Sequence, residues 1–249
     1  MSAPEASAPS DLVYRHRLPT RIWHWINALV LLVMLESGLM IFNAHPRLYW
    51  GQYGANPDKA WLDLSSVNEG IPFPGWITLP STYSLADARL WHLAFAWLLA
   101  TGLLVYLAWA LFAGHLRRDL LPRGDELRPS HILHDIAAHA RLRFPTGKAA
   151  RNYNVLQKLA YGVVLFVLLP GIILTGLTMS PAIDSGFPVL LDLFGGRQSA
   201  RSFHFLCAFG LVAFFAVHIA MVLLAGPVNE IRSMLSGWYR LPSARGGEA

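Results

Sequence analysis

The chain has 249 residues, of which 54% are hydrophobic and only 14% charged, against roughly 25% charged in ordinary soluble domains. That balance excludes an ordinary soluble domain. The formal net charge of +5 calls for no nucleic acid, because membrane proteins gather Lys and Arg on one face.

Residues 1–12 read as a disordered tail. The opening MSAPEASAPS is small, polar and proline-containing, which disfavours a packed core. It lacks the basic and apolar regions of a cleavable signal peptide, so the first hydrophobic run is expected to act as its own insertion signal. Four runs come next, at 22–42, 90–112, 159–179 and 203–225. Each has about the 20 apolar residues that a hydrocarbon core demands. The predicted fold is all-α, a polytopic membrane four-helix bundle over 13–239, with a short tail at 240–249.

Orientation is set by the connections. The middle one carries Arg117, Arg118, Arg123, Arg128, Arg141, Arg143, Lys148 and Arg151, and both termini add further arginines. The connection at 43–88 has only Arg47 and Lys59, and that at 180–200 only Arg197. The positive-inside rule therefore places both termini and the middle connection in the cytoplasm. The first outer connection is long and aromatic, with Trp50, Tyr53, Trp61 and Trp76. Loops of that length are usually functional or interfacial, here an aromatic belt on the headgroups, a docking platform for an external partner, or both.

In the middle connection, SHILHDIAAHARLR (Ser130 to Arg143) places Ile132, Leu133, Ile136 and Ala140 on one face, a short interfacial helix. Its His131, His134 and His139 fit a solvated face better than a metal site. Pro170 interrupts the third run; proline is tolerated in spanning helices and commonly kinks them. The single cysteine, Cys207, lies in the last run, so no intramolecular disulfide forms and a packing role is expected.

Four of the ten histidines lie in or just inside the runs: His24, His92, His204 and His218. Ionisable residues in spans are rare and are functional candidates by default. His204 and His218 are fourteen residues apart, hence within about 40° of one helix face and roughly 21 Å apart along the axis. By depth, His24 and His218 fall in the inner leaflet, His92 and His204 in the outer. Two imidazole pairs, one per leaflet, suit two haems stacked across a membrane. Ala28, Ala96 and Ala208 stand four residues after a histidine and leave room for a flat macrocycle. Gly38 lies fourteen residues after His24, where the first helix would pass the outer haem, and Gly102 and Gly210 could serve similarly. Arg89 and Arg201, each three residues before an outer histidine, and Arg21 inside, could pair with haem propionates. No CxxCH occurs, so haem would be held non-covalently. A transition-metal site would favour a carboxylate near these histidines, and none stands four residues away.

The stretches RHRLPTRIWHWINA, RLWHLAFAW, RNYNVLQKLAYG, and RSFHF through VHIAMVLLAGPVNEIRSMLSGWYR carry a resemblance. The chain resembles the di-haem cytochrome b subunits of the bacterial cytochrome b-561 and nickel–iron hydrogenase cytochrome b superfamily, which includes formate dehydrogenase and thiosulfate reductase membrane subunits. The resemblance implies His24, His92, His204 and His218 as axial ligands of two b-type haems. It implies electron transfer in the bacterial inner membrane between ubiquinone or menaquinone and a periplasmic oxidoreductase subunit. A quinone pocket is implied beside the start of the third helix, where Asn154, Gln157 and Lys158 supply donors; the plainer reading is that they cap the helix and anchor it to headgroups. Glu36 is a second candidate for proton handling. Within that superfamily the chain most resembles members that serve molybdenum-containing oxidoreductases rather than hydrogenases, chiefly over AGPVNEIRSMLSGWYR. A stand-alone quinone-dependent superoxide oxidase and a metal transporter are the rival readings.

Overall fold

A computed structural model describes residues 12–55, 57–141 and 153–241. The residues 1–11 of the expected tail, Arg143, and most of the tail at 240–249 lie outside the described residues. The described residues fall into two compact units, one drawn from 1–22, 110–161 and 216–249 and the other from 23–109 and 162–215.

In chain order the elements are β1 (Leu12–Tyr14), α1 (Leu18–Asn43), β2 (Arg47–Leu48), β3 (Leu62–Asp63), α2 (Leu85–Phe112), α3 (Pro129–Ala140), α4 (Val155–Val163), α5 (Leu169–Thr178), α6 (Pro181–Gly186), α7 (Val189–Phe194), α8 (Arg197–Ala225), α9 (Pro227–Ser236) and β4 (Trp238–Arg240). Among the described residues, four helical stretches are long and apolar enough to cross a membrane: Leu18–Asn43, Leu85–Phe112, Val155–Thr178 and Arg197–Ala225. Each begins a few residues before its apolar run, because the first turns carry polar groups such as Arg21, Asp87, Lys158 and Arg201. Hydropathy skips those residues while the backbone bonds of the helix do not.

The third stretch is not one regular helix. Between α4 and α5 lies a π-helical turn, Val164–Leu168. Pro170 has no N–H to give to the carbonyl four residues back, and its ring crowds that carbonyl. Widening the preceding turn relieves the clash, which is a recognised origin of such turns.

In the unit of 23–109 and 162–215, parts of all four long helices pack together. Trp23 stacks on Tyr106 with ring centroids 5.3 Å apart, and Phe42 of α1 meets Phe205 of α8 at 5.1 Å. Gly102 lies beneath the Trp23 indole and Gly210 beneath Leu168, so these two glycines accommodate side chains of neighbouring helices. Gly171 does the same for Cys207.

The long connection after α1 is clasped onto the start of α8. Asn43 forms two bonds with the Phe73 backbone, at 2.8 and 3.0 Å. The N–H groups of Gln198 and Ser199 reach the Gly51 carbonyl, each at 3.1 Å, and that of Arg197 reaches Gln52 Oε1 at 3.0 Å. These bonds satisfy donors that a helix start leaves without an intrahelical acceptor. Gly196 makes the approach possible: its φ is +106°, and a Cβ there would lie 2.6 Å from the Gln52 backbone.

In the unit of 1–22, 110–161 and 216–249, β1 pairs antiparallel with β4, Leu12 opposite Arg240 and Tyr14 opposite Trp238. Around this strap, Arg15 lies over the Tyr239 ring at 4.5 Å and pairs with Glu230 at 3.6 Å. Tyr153 bonds His16 Nδ1 at 3.1 Å. The helix expected at Ser130 to Arg143 is α3, with Leu133 and Ile136 exposed.

Candidate functional site

The centre of the larger unit is a histidine pair. His92, the eighth residue of α2, and His204, the eighth residue of α8, lie with ring centroids 6.1 Å apart and planes inclined at 57°. Each ring is gripped at Nδ1 by a hydroxyl from a neighbouring helix. Ser37 Oγ of α1 lies 3.0 Å from His92 Nδ1, and Thr175 Oγ1 of α5 lies 3.1 Å from His204 Nδ1.

The donors can be assigned. A hydroxyl has one proton to give. Ser37 gives its proton to the Val33 carbonyl at 2.7 Å, and Thr175 gives its proton to the Gly171 carbonyl at 2.7 Å. Both oxygens therefore accept from the imidazoles, which places the ring protons on Nδ1. Each Nε2 is left with a lone pair, the form in which imidazole binds a metal.

The residue after each hydroxyl is glycine. A Cβ on Gly38 would lie 3.3 Å from His92 Cε1, and one on Gly176 would lie 3.4 Å from His204 Cε1. A methyl group at either place would press on the ring. The site thus repeats one device twice, a hydroxyl and a bare Cα side by side against an imidazole.

This arrangement fits haem. A metal–nitrogen bond of about 2 Å on each side, with roughly 1 Å from nitrogen to ring centre, spans about 6 Å between two axial imidazoles. The observed separation of 6.1 Å matches.

The other expected ligands stand elsewhere along the chain. His24, half-buried in the same unit, has its ring edge-on to Trp25 at 5.0 Å. His218 is half-buried in the terminal unit. Glu36 is half-buried, one residue before Ser37, and its carbonyl accepts from Leu79 N at 3.2 Å.

The three arginines differ in surroundings. Arg201 donates to the carbonyls of His45 and Arg47 at 2.5 and 2.9 Å, tying α8 to the turn after α1. Arg21 Nε donates to the Met234 carbonyl at 3.3 Å. Arg89 is exposed at the start of α2.

At the start of α4, Asn154 Oδ1 accepts from Gln157 N at 2.9 Å and Gln157 Oε1 accepts from Asn154 N at 3.2 Å. This reciprocal pair is a capping box. Lys158, buried one residue on, holds both oxygens of Glu126 at 2.7 Å. That contact holds the Glu126 carboxyl below its usual pKa of 4.5, although burial alone would push it up.

Four residues are not singled out by the sequence alone: Ser37, Thr175, Gly176 and Glu126. A signal exists for three of them, since SGL at 37–39 and TGL at 175–177 stand at the depth of His92 and His204. For Glu126 the only signal is that a buried lysine needs a counter-charge, and several loop acids qualify.

In comparisons with known proteins, the family model described as prokaryotic cytochrome b561 matches residues 15–237. The chain is 30% identical over 207 residues to an Azospira oryzae protein provisionally named protein-methionine-sulfoxide reductase subunit YedZ1, covering 82% of this chain and 87% of that one. It is 26% identical over 242 residues to an Azotobacter vinelandii protein provisionally named Ni/Fe-hydrogenase B-type cytochrome subunit, covering 91% and 88%. A provisionally named cytochrome of Escherichia coli, YdhU, is 24% identical over 241 residues, covering 94% and 77%.

Proposed function

This chain belongs to the prokaryotic cytochrome b561 family, and from that premise we propose that it is a di-haem electron-transfer subunit linking membrane quinone to a periplasmic molybdenum-containing oxidoreductase. Its four apolar helices and its family make it a multi-pass b-type cytochrome of the bacterial inner membrane. The observation that carries the reading is the His92–His204 pair, two imidazoles at bis-ligand spacing with both Nε2 lone pairs available.

His92 and His204 would hold the outer haem, and His24 and His218 the inner. Haem closed by two imidazoles passes single electrons and leaves no position for oxygen. The residues of the chain do the rest. Arg201 fixes the start of α8 against the outer connection, and Ser37 and Thr175 orient the ligands. At the other end, both termini face the cytoplasm by the arginine distribution. There Asn154, Gln157 and Lys158 border the quinone. Glu126 keeps one-fifth of its side chain in water, so a proton that the Lys158 ammonium gave to a reduced quinone could be restored to it from solvent.

The 30% identity to a subunit named for a protein-methionine-sulfoxide reductase, against 26% to the hydrogenase subunit, supports a partner other than hydrogenase. A hydrogenase partner is the second reading, since the latter likeness covers more of the chain. The deciding experiment is haem extraction with mass spectrometry of the proteins that co-purify in mild detergent. Two b-type haems per chain and a molybdenum enzyme are expected. One haem or none would overturn the di-haem reading, and a co-purifying nickel–iron enzyme would replace the molybdenum partner.

A further inference from the structure

The outer histidine pair has a feature that ligation alone does not require. Both imidazoles are bonded at Nδ1 to a buried hydroxyl whose proton is already committed to its own helix. Ser37 and Thr175 are each 0% exposed, so water does not compete for the bond. Their oxygens can only accept from the rings. An Nδ1–H that donates to an oxygen gives up electron density to the imidazole, and Nε2 becomes a stronger donor to iron. Stronger donation favours the ferric over the ferrous state. The effect is doubled here, because both axial ligands are held in the same way.

We propose that Ser37 and Thr175 are positioning residues that lock His92 and His204 in the Nδ1–H tautomer and lower the reduction potential of the outer haem. This rests on the reading of His92 and His204 as its ligands. Gly38 and Gly176 belong to the same device. With ring edges 3.3 and 3.4 Å from where a Cβ would stand, the backbone next to each hydroxyl approaches close enough for the hydroxyl to reach Nδ1. The two halves come from α1 and α5, and the ligands from α2 and α8, so each helix of the bundle contributes either a ligand or its clamp.

The two hydroxyls also have distinct secondary bonds. Ser37 lies 3.3 Å from the Met34 carbonyl, and Thr175 lies 3.1 Å from the Ile172 carbonyl. With the i−4 bonds to Val33 and Gly171, these i−3 contacts are the back-bonds typical of Ser and Thr in helices. They fix the hydroxyl rotor and hence the direction from which the oxygen accepts.

The test uses the full-length protein in detergent, with potentiometric titration of each haem and low-temperature electron paramagnetic resonance. Thr175→Val is the cleanest variant, because it keeps the shape and removes only the hydroxyl. Thr175→Ser keeps the hydroxyl and serves as the rescue. Ser37→Ala is the independent second variant. The expected result is an upward shift of the outer haem potential in Thr175→Val and in Ser37→Ala, with the inner potential unchanged and Thr175→Ser close to the parent. Loss of the outer haem in Thr175→Val but not in Thr175→Ser also supports the proposal, as the hydroxyl then holds the ligand in place. Unshifted potentials in both hydroxyl-less variants would overturn it. So would equal shifts or equal haem loss in Thr175→Val and Thr175→Ser, or a shift shared by both haems. A His92→Ala variant run alongside separates the two levels: if it retains both haem signals, the ligand reading itself fails whatever the hydroxyl variants do.

Discussion

Lys158 Nζ stands 2.7 Å from both carboxylate oxygens of Glu126, although thirty-two positions separate them in the chain. The lysine side chain is only 6% exposed, so the pair is a buried cation with one specific counter-charge. Removing one partner of such a pair strands the other. Glu126→Gln is expected to destabilise the protein by about 2 kcal/mol, below the usual 3–5 because Glu126 touches water. Lys158→Met combined with Glu126→Leu should recover most of that loss. Thermal unfolding in detergent measures both.

The ligand assignment gives the most direct spectral expectation. His92→Ala should abolish the outer haem and leave the inner one, and His24→Ala should do the reverse. His204→Ala should match His92→Ala, and His218→Ala should match His24→Ala. Redox titration of the α-band reads the result, and identical losses in His92→Ala and His218→Ala would break the pairing.

Asn154 and Gln157 cap α4 as well as bordering the proposed quinone, and two substitutions separate the roles. Asn154→Ser keeps a good cap, whereas Asn154→Leu removes it at a cost of about 1 kcal/mol. If the amide binds quinone, both variants slow electron exchange between quinol and the inner haem, with exchange between the haems unchanged. Slowing in Asn154→Leu alone would assign the residue to the cap.

His115 makes the stability depend on pH. Its Nδ1 lies 2.6 Å from Asp119 Oδ2 and its ring is buried. Burial is the largest influence and lowers its pKa from 6.5, with Asp119 opposing and Arg118 and Arg17 adding to the effect. The unfolded chain then takes up this proton more readily than the folded one, so the stability is present above pH 6.5 and is lost as the pH falls below it. Asp119 does not titrate in that window. Burial pushes it up, but Arg118 and His115 hold it below 3.8. The thermal midpoint should drop between pH 7.5 and 5.5, and His115→Gln should flatten the drop.

Gly196 offers a steric test. With φ at +106° and the Gln52 backbone 2.6 Å from a would-be Cβ, Gly196→Ala strains the backbone and displaces the clasp on α8. A loss of about 2 kcal/mol or more is expected, together with easier loss of the outer haem on dilution in detergent.

Four helices and four candidate histidines are legible because apolar runs, and histidines within or at the edge of them, are local facts of the sequence. The start of each helix is not, since Leu18, Leu85, Val155 and Arg197 lie outside the apolar runs proper. The clamp is half legible: Gly38 is marked by its spacing from His24, whereas Ser37 beside it and the Thr175–Gly176 pair are marked only by the shared SGL and TGL triplets. A serine or threonine in a spanning helix normally bonds back to its own helix, as both do here. Only the packed structure reveals that the same oxygen also faces an imidazole. The pairing of Lys158 with Glu126 is illegible for a plainer reason, because no periodicity relates a helix residue to an acid in a distant loop.

The wide turn at Val164–Leu168 sets the phase of everything after it in the third stretch. One residue more or fewer in a helix rotates the remainder by about 100°. Tightening that turn to regular α-helix with all its residues kept would swing Thr175 and Gly176 away from His204 together, by up to about 100°, whereas a single deletion there would be absorbed as the turn tightens. The bulge therefore works as a rotational shim. A further insertion between 164 and 168 should be far more damaging to the outer site than a single deletion at the same place.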